Sequence, residues 1–339
     1  MYNPKFNCTD KIKANLKEIE RFKELILNSS IKPEVDISLK NKVIDNSVYA
    51  STAISSEELA FDDPRRIMNH FKRNANDEKI KKRENYYEVL SDMDRYHTNG
   101  EITEELILEM HKQITEDLLE DPSFGGNYRT SPNWIEDHVT HEIRYTSPDM
   151  EEIPGLMGNL VEWINENSEI SPLIVAGVAH YELVRIHPFV DGNGRTARAI
   201  ATLILCLRSF DVKRYFALDE YYNEDKREYV DALKTADDSG DLTKWLEYFT
   251  EGVLISVSRV WTLISELSNY TDVDVTLNDD EIEIMMYLAK NDKVTTKEAQ
   301  KLLEISKYRA SIILKGLEAK DVIKMEGKGK SSHFTFKTT

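Results

Sequence analysis

Two cysteines in 339 residues, Cys8 and Cys206, leave no disulfide framework for a fold to depend on. Cys206 lies inside the apolar run LILCL and reads as a core thiol, which fits a reducing cytoplasm. No apolar run approaches the roughly 18 residues of a membrane span, and the opening MYNPKFNCTDK has no hydrophobic region of the signal-peptide kind, so neither membrane nor export is expected. Basic residues are outnumbered 44 to 61, and the net charge of -17 argues against a molecule that binds polyanions with its whole surface. A local basic surface remains compatible with that balance. Glycine is scarce, at 13 residues, while long periodic stretches dominate, so the chain reads as mainly α.

The periodicity predicts a helix over about 9–29, where Ile12, Leu16, Ile19, Phe22 and Ile26 recur at three and four and Thr9 offers an N-cap. Further helices are predicted over about 37–60, 64–95 and 102–119, the last capped by Thr103 in the pattern TEEL. Residues 125–149 change character, with two β-prone pieces, Trp134-Ile135 and Glu142 to Thr146, among turn formers. They are read as a small hairpin. Helical periods return at about 153–168, 171–186, 194–209, 224–236 and 242–267. Residues 268–278 read as a linker. Beyond them three short helices and two β-like runs around a Gly/Lys turn follow the order of a winged helix-turn-helix over 279–339.

The densest chemistry lies in HPFVDGNGRTAR, residues 187–198. Gly192, Gly194 and Ala197 satisfy the spacing of a dinucleotide fingerprint, but that motif must follow a strand. Here SPLIVAGVAHYELVRI precedes it with Val175, Val178, Leu183 and Ile186 on one helical face, so the dinucleotide reading fails. What remains is a helix, a break forced by Pro188, and a turn that delivers Gly192, Asn193 and Gly194 to the start of a second helix. Backbone N–H groups there can converge on an anion. Arg195 and Arg198 stand one turn apart, placed to face the same anion, and their charge opposes the helix dipole unless one is present. Asp191 is a hard oxygen ligand suited to Mg²⁺. His187 has the pKa range of a general base. Each part alone is common in proteins. Their joint occurrence points to phosphoryl-type transfer.

The segment resembles the signature of Fic-domain proteins, His-x-Phe-x-(Asp/Glu)-Gly-Asn-Gly-Arg-x-x-Arg, position by position. GNYRT at 126–130, the helix before the motif and DEYYNEDKREYVDAL at 219–233 extend the likeness over about 96–265. The resemblance implies a Fic-type helical bundle that transfers AMP from ATP to a Ser, Thr or Tyr hydroxyl of a target protein, and to itself. It implies that His187 is the general base, that Asp191 holds Mg²⁺ between phosphates, and that Phe189 is an apolar anchor. Gly192, Asn193, Gly194 and Arg195 would hold phosphates, with Arg198 reaching the γ-phosphate. The hairpin over 133–146 would be the flap on which the target docks as an added strand.

Many Fic proteins carry an inhibitory Ser-x-x-x-Glu segment whose Glu pairs with the second Arg of the signature. Here STAISSEEL at 51–59 aligns Ser51 with the first position but places Ser55 and Ser56 where Glu and Gly are expected. Glu57 lies about 200° away around a helix. Serine cannot form a bidentate pair, so the sequence predicts an Arg198 without an inhibitory carboxylate, in an enzyme unrestrained or differently restrained. His180, and the pair His138 and His141, carry no ligand pattern.

Three regions follow from this reading: an N-terminal helical region at 1–95, a Fic domain at 96–267, and the winged helix at 279–339. In the last, Lys and Arg outnumber Asp and Glu. Lys307, Arg309 and Lys315 are expected outward on a recognition helix with Ile312, Ile313 and Leu317 in its core. Lys328 and Lys330 would lie on the wing. DNA and a docking protein fit this surface equally well, and a homodimer is left open. The competing class is a DNA-binding regulator whose Fic core senses nucleotide without transferring it.

Overall fold

The computed structural model describes residues 2–29, 31, 33–56, 75–96, 100–136, 143–210, 212–215, 217–268, 277–327 and 329–337. Within these, the side chains of 33–35, 55–56, 75–76, 134–136, 143–144, 267–268 and 330 lie outside the description. The helices are α1 (Asp10–Leu27), α2 (Pro33–Ser56), α3 (Ala75–Ser91), α4 (Glu104–Ile114), α5 (Ile153–Glu166), α6 (Pro172–Ile186) and α7 (Asn193–Leu207). They continue with α8 (Leu218–Glu224), α9 (Lys226–Ser239), α10 (Thr243–Ser268), α11 (Asp279–Asn291), α12 (Thr296–Leu302) and α13 (Lys307–Ala319). Two hairpins complete the description: β1 (Trp134–Glu136) with β2 (Ile143–Thr146), and β3 (Ile323–Glu326) with β4 (His333–Phe336). The mainly α class and the small hairpin agree with the sequence reading.

Contacts divide the chain into two compact units, and neither is one run of sequence. The first comprises 1–16, 44–211 and 217–253; the second comprises 17–43, 212–216 and 254–339.

In the first unit α6 and α7 form a hairpin that fills the centre: α6 is apolar nearly all round, as buried helices are, and α7 is buried along most of its length, its two arginines included. Helices α3, α4 and α5 pack around them. Helix α10 comes so close to α6 that a Cβ at Gly177 would sit 2.8 Å from Leu246, and Trp245 donates its indole N–H to the Gly177 carbonyl at 2.8 Å. His180 is buried in this aromatic core with its Nε2 2.9 Å from the Tyr229 hydroxyl, so it is a packed residue. Thr103 caps α4 as expected, its side chain accepting from Leu106 N–H. The helix then stops at Ile114 rather than near 119, because Thr115 at its C-cap leaves helical backbone geometry (φ −109°, ψ 7°) and Asp117 takes a left-handed φ of 57°. The helix expected at 224–236 is α9, and the short helix α8 precedes it. Asp225 separates them and caps α9 through the N–H groups of Arg227 and Glu228.

In the second unit α11, α12 and α13 precede the β3–β4 hairpin, to which Val294 adds a bridge at Phe334. Capping boxes open α11 at Asn278 and α12 at Thr295. The buried face of α13 is Ala310, Leu314 and Leu317. Ile312, expected in the core, is 51% exposed instead, since the 3.6-residue period that buries Ala310, Leu314 and Leu317 turns position 312 to solvent. Lys42 of α2 pairs with Glu283 at 2.7 Å within this unit. The helix expected at 64–95 is described from residue 75 onward; 57–74, with Glu57, lies outside the described residues, as do His138 and His141.

Candidate active site

The sequence 187–198 occupies the turn between α6 and α7. Pro188 ends α6, and His187 at its C-cap takes the left-handed conformation (φ 51°, ψ 58°), uncommon for a residue with a Cβ. That geometry is held from outside. Arg129, 3% exposed, donates from Nε to the His187 carbonyl at 2.8 Å, and its backbone N–H reaches the Pro188 carbonyl at 2.8 Å. The same guanidinium also donates to the carbonyls of Ser131 and Pro148. Sequence reasoning passed over Arg129 as part of GNYRT; its signal was a lone Arg between turn formers.

The His187 ring is buried, with Nδ1 3.3 Å from the Val184 carbonyl. A carbonyl can only accept, so Nδ1 carries the proton and the basic lone pair belongs to Nε2. Burial pushes this imidazole down to about 4, with the Arg129 charge acting in the same direction and the Val184 carbonyl against it. The ring is therefore neutral at physiological pH, the state a proton acceptor needs.

Phe189 is fully buried, the apolar anchor the signature implies. Asn193 closes the turn in a two-point clasp: Oδ1 accepts from the Phe189 N–H and Nδ2 donates to the Phe189 carbonyl, both at 2.9 Å. The Asn193 side chain thus shapes the loop. Gly192 stands at the N-cap of α7 with φ 82°, where a Cβ would lie 2.8 Å from the Thr115 methyl, so conformation and space both require glycine. The helix opens there with no side-chain cap and no acidic residue in its first turn, and a helix start of that kind favours an anion.

The two arginines hold different protein groups. Arg195, 2% exposed, donates to the Ile114 carbonyl at 3.1 Å and lies 3.8 Å from Asp191. Arg198, 4% exposed, holds Nε 2.9 Å from Asp219 Oδ1 and 2.8 Å from Ser51 Oγ, and also donates to the Ser51 carbonyl. Asp219 is buried in turn and accepts from Ser47 at 2.5 Å. Arg198 is thus not left free: the N-terminal helix supplies Ser51, and a carboxylate comes from α8 rather than from the N-terminal segment. Sequence reasoning missed Asp219 because nothing local marks it. Ser55 and Ser56 end α2, and their side chains lie outside the described residues.

Asp191 is the hard oxygen donor of the site, its side chain 24% exposed, with Oδ1 accepting from the Gly192 N–H at 2.7 Å. No group of three His, Cys, Asp or Glu able to hold a metal occurs among the described residues. A single carboxylate at the mouth of an anion site fits Mg²⁺ shared with substrate phosphates and does not fit a metal held by protein alone. His111, buried on α4, stacks on Phe189 with ring centroids 3.6 Å apart and joins Asp191 to Gly126 through its two nitrogens. Its place in an amphipathic helix gave no sequence signal.

In the second unit Lys307, Arg309 and Lys315 are exposed on α13 as expected, and Arg309 pairs with Asp280 at 3.5 Å. Lys328 and the Lys330 side chain lie outside the described residues.

Residues 101–205 match the Fic/DOC family. Over 163 residues the chain is 32% identical to the protein adenylyltransferase fic-1 of Caenorhabditis elegans, covering 48% of this chain and 29% of that protein. The chain therefore spans less than a third of the length of this curated relative. A crystal structure of a Fic family protein from Desulfovibrio desulfuricans G20 superposes with a TM-score of 0.59 at 19% identity, over 100% of this chain and 99% of that one, a likeness of fold. Fic-1 (residues 134–508) from C. elegans gives a TM-score of 0.54 at 25% identity over 73% and 72% of the two chains.

Proposed function

We propose that the chain is a protein adenylyltransferase that transfers AMP from ATP to a hydroxyl of a target protein, itself included. The observation that carries this reading is the His187 imidazole, buried and neutral with Nδ1 toward the Val184 carbonyl, four residues ahead of Asp191 and next to the start of α7. A Ser, Thr or Tyr oxygen forms a bond to the α-phosphorus as the bond from phosphorus to the bridging oxygen of pyrophosphate breaks. His187 Nε2 takes the hydroxyl proton, and the α7 N-terminus with Gly192, Asn193 and Gly194 receives the phosphate oxygens. Mg²⁺ bound at Asp191 would supply neutralisation of phosphate charge. Arg195 holds the Asp191 carboxylate from the side of α4. Arg198 reaches the γ-phosphate only by giving up part of its hold on Asp219, so the chain is restrained differently from relatives with the inhibitory Glu.

We read the β1–β2 hairpin, Trp134–Glu136 with Ile143–Thr146, as part of the flap proposed over 133–146, on which an extended target segment would add as a strand. A reducing cytoplasm suits a chain with only two cysteines. Among the described residues no helix is long and apolar enough to cross a membrane. Incubation with α-labelled ATP and Mg²⁺ tests the reading: the wild type incorporates label and His187→Ala does not. Nucleotide binding without labelling by either form would reject transfer.

A second activity rests on a separate observation. Helices α11–α13 with the β3–β4 hairpin follow the order of a winged helix-turn-helix and present Lys307, Arg309 and Lys315 to solvent. We read this module as a contact for duplex DNA through phosphates. Affinity that does not fall as salt rises would reject it.

A further inference from the structure

His111 and Ile114 of α4, with Thr115 at its C-cap, meet the 187–198 loop. His111 Nε2 lies 2.9 Å from the Asp191 carbonyl, while Nδ1 accepts the Gly126 N–H at 3.0 Å. Because an amide N–H can only donate, the Gly126 contact assigns the proton to Nε2, which therefore donates to Asp191. Ile114 receives the Arg195 guanidinium, whose NH2 lies 3.8 Å from Asp191 Oδ2. Thr115 packs where a Cβ at Gly192 would fall. The backbone and the carboxylate of Asp191 are thus both tied to the last turn of α4. The His111 ring cannot adjust, since it is fully buried and parallel to Phe189 within 4°.

We propose that His111 is a positioning residue: its Nε2–H bond to the Asp191 carbonyl sets the direction in which the Asp191 carboxylate faces magnesium nucleotide. The inference rests on the reading of Asp191 given above and adds to it a residue outside the 187–198 motif. Fixing the carbonyl fixes the peptide plane from which the side chain springs, and Oδ1 is then steered by the Gly192 N–H at 2.7 Å. Magnesium tolerates little departure from octahedral geometry, so a tilt of that carboxylate weakens the site.

Two variants separate positioning from packing. His111→Asn keeps an acceptor near the Nδ1 position and removes the Nε2 donor; His111→Gln keeps a donor near Nε2 and gives up the acceptor. Binding of α,β-methylene-ATP, in which the scissile bridge is blocked, is measured by calorimetry across a magnesium series and without magnesium, beside thermal melting. His111→Asn is expected to raise the magnesium concentration for half-maximal binding about tenfold or more, and His111→Gln to leave it near the wild-type value. Magnesium-free binding is expected to be the same in all three. Equal magnesium dependence in the three proteins overturns the proposal, and so does an equal shift in both variants, the mark of lost packing. A wild type with no magnesium-dependent binding overturns the reading of Asp191 itself, an outcome visible in that arm alone. Nitrogen NMR of the wild-type ring gives a ligand-free check: a protonated Nε2 is expected, and a protonated Nδ1 overturns the assignment.

Discussion

The 187–198 loop and helix α13 each carry basic residues at helical spacing, and the structure treats them oppositely. Arg195 and Arg198 are 2% and 4% exposed, and each has named partners in other elements. Lys307, Arg309 and Lys315 stand in solvent, beside a Tyr308 that is 78% exposed. A charge removed from water is tolerated only with bonds that repay its lost hydration, whereas an exposed lysine costs almost nothing to keep. The buried pair therefore reports a constructed site. The exposed set reports a surface whose use must be measured.

The sharpest way to break this comparison is at His187. Replacing it by Ala is expected to lower AMP transfer by about 10²–10⁴-fold, read as the initial rate of label incorporation. Next in size, Asp219→Ala leaves the Arg198 guanidinium buried without its carboxylate. That change is expected to cost about 3–5 kcal/mol in stability, checked by urea unfolding. No change in midpoint would mean that Arg198 finds another anion.

Acidity probes the same buried unit. The folded-state pKa of His187 is pushed down to about 4 and that of His180 lies well below the ordinary value of 6.5, burial being the leading cause in both. Between those values and 6.5 the unfolded chain binds more protons than the folded one, so stability rises with pH through that window. It is full above about pH 6.5 and is lost as pH falls toward 4. Melting temperature across pH 4.5–7.5, with His180→Phe as the comparison, is the measurement; a flat profile would contradict the burial argument. The smallest effect belongs to α13. Ile312→Ser is expected to change stability by less than about 0.5 kcal/mol, since the side chain is half exposed, and chemical denaturation reads it directly. A large loss would show that position 312 is covered in solution.

Much of the fold was legible because its signals are local. The N-caps at Thr9 and Thr103 and the break at Pro188 each depend on residues within one turn. The β1–β2 hairpin was visible in the same way, as β-prone pieces among turn formers. Helix ends were less legible: α4 stops at Ile114 because Thr115 and Asp117 adopt conformations their residue types permit but do not compel. Ile312 was misassigned because apolar residues at 312, 313, 314 and 317 of α13 admit more than one helical face. Packing chose the face containing Ala310, Leu314 and Leu317.

The chain's own order determined the chemical inventory of the site. A base, a hard carboxylate, a glycine turn and two arginines lie within one short segment, and a proline and two glycines dictate how the backbone passes through it. Tertiary structure decided the partners. It brought Asp219 and Ser51 to Arg198, Arg129 to the His187 carbonyl and His111 to Asp191. Turn geometry follows from neighbours along the chain, whereas the partner of a buried charge is whatever distant group the packed core sets beside it.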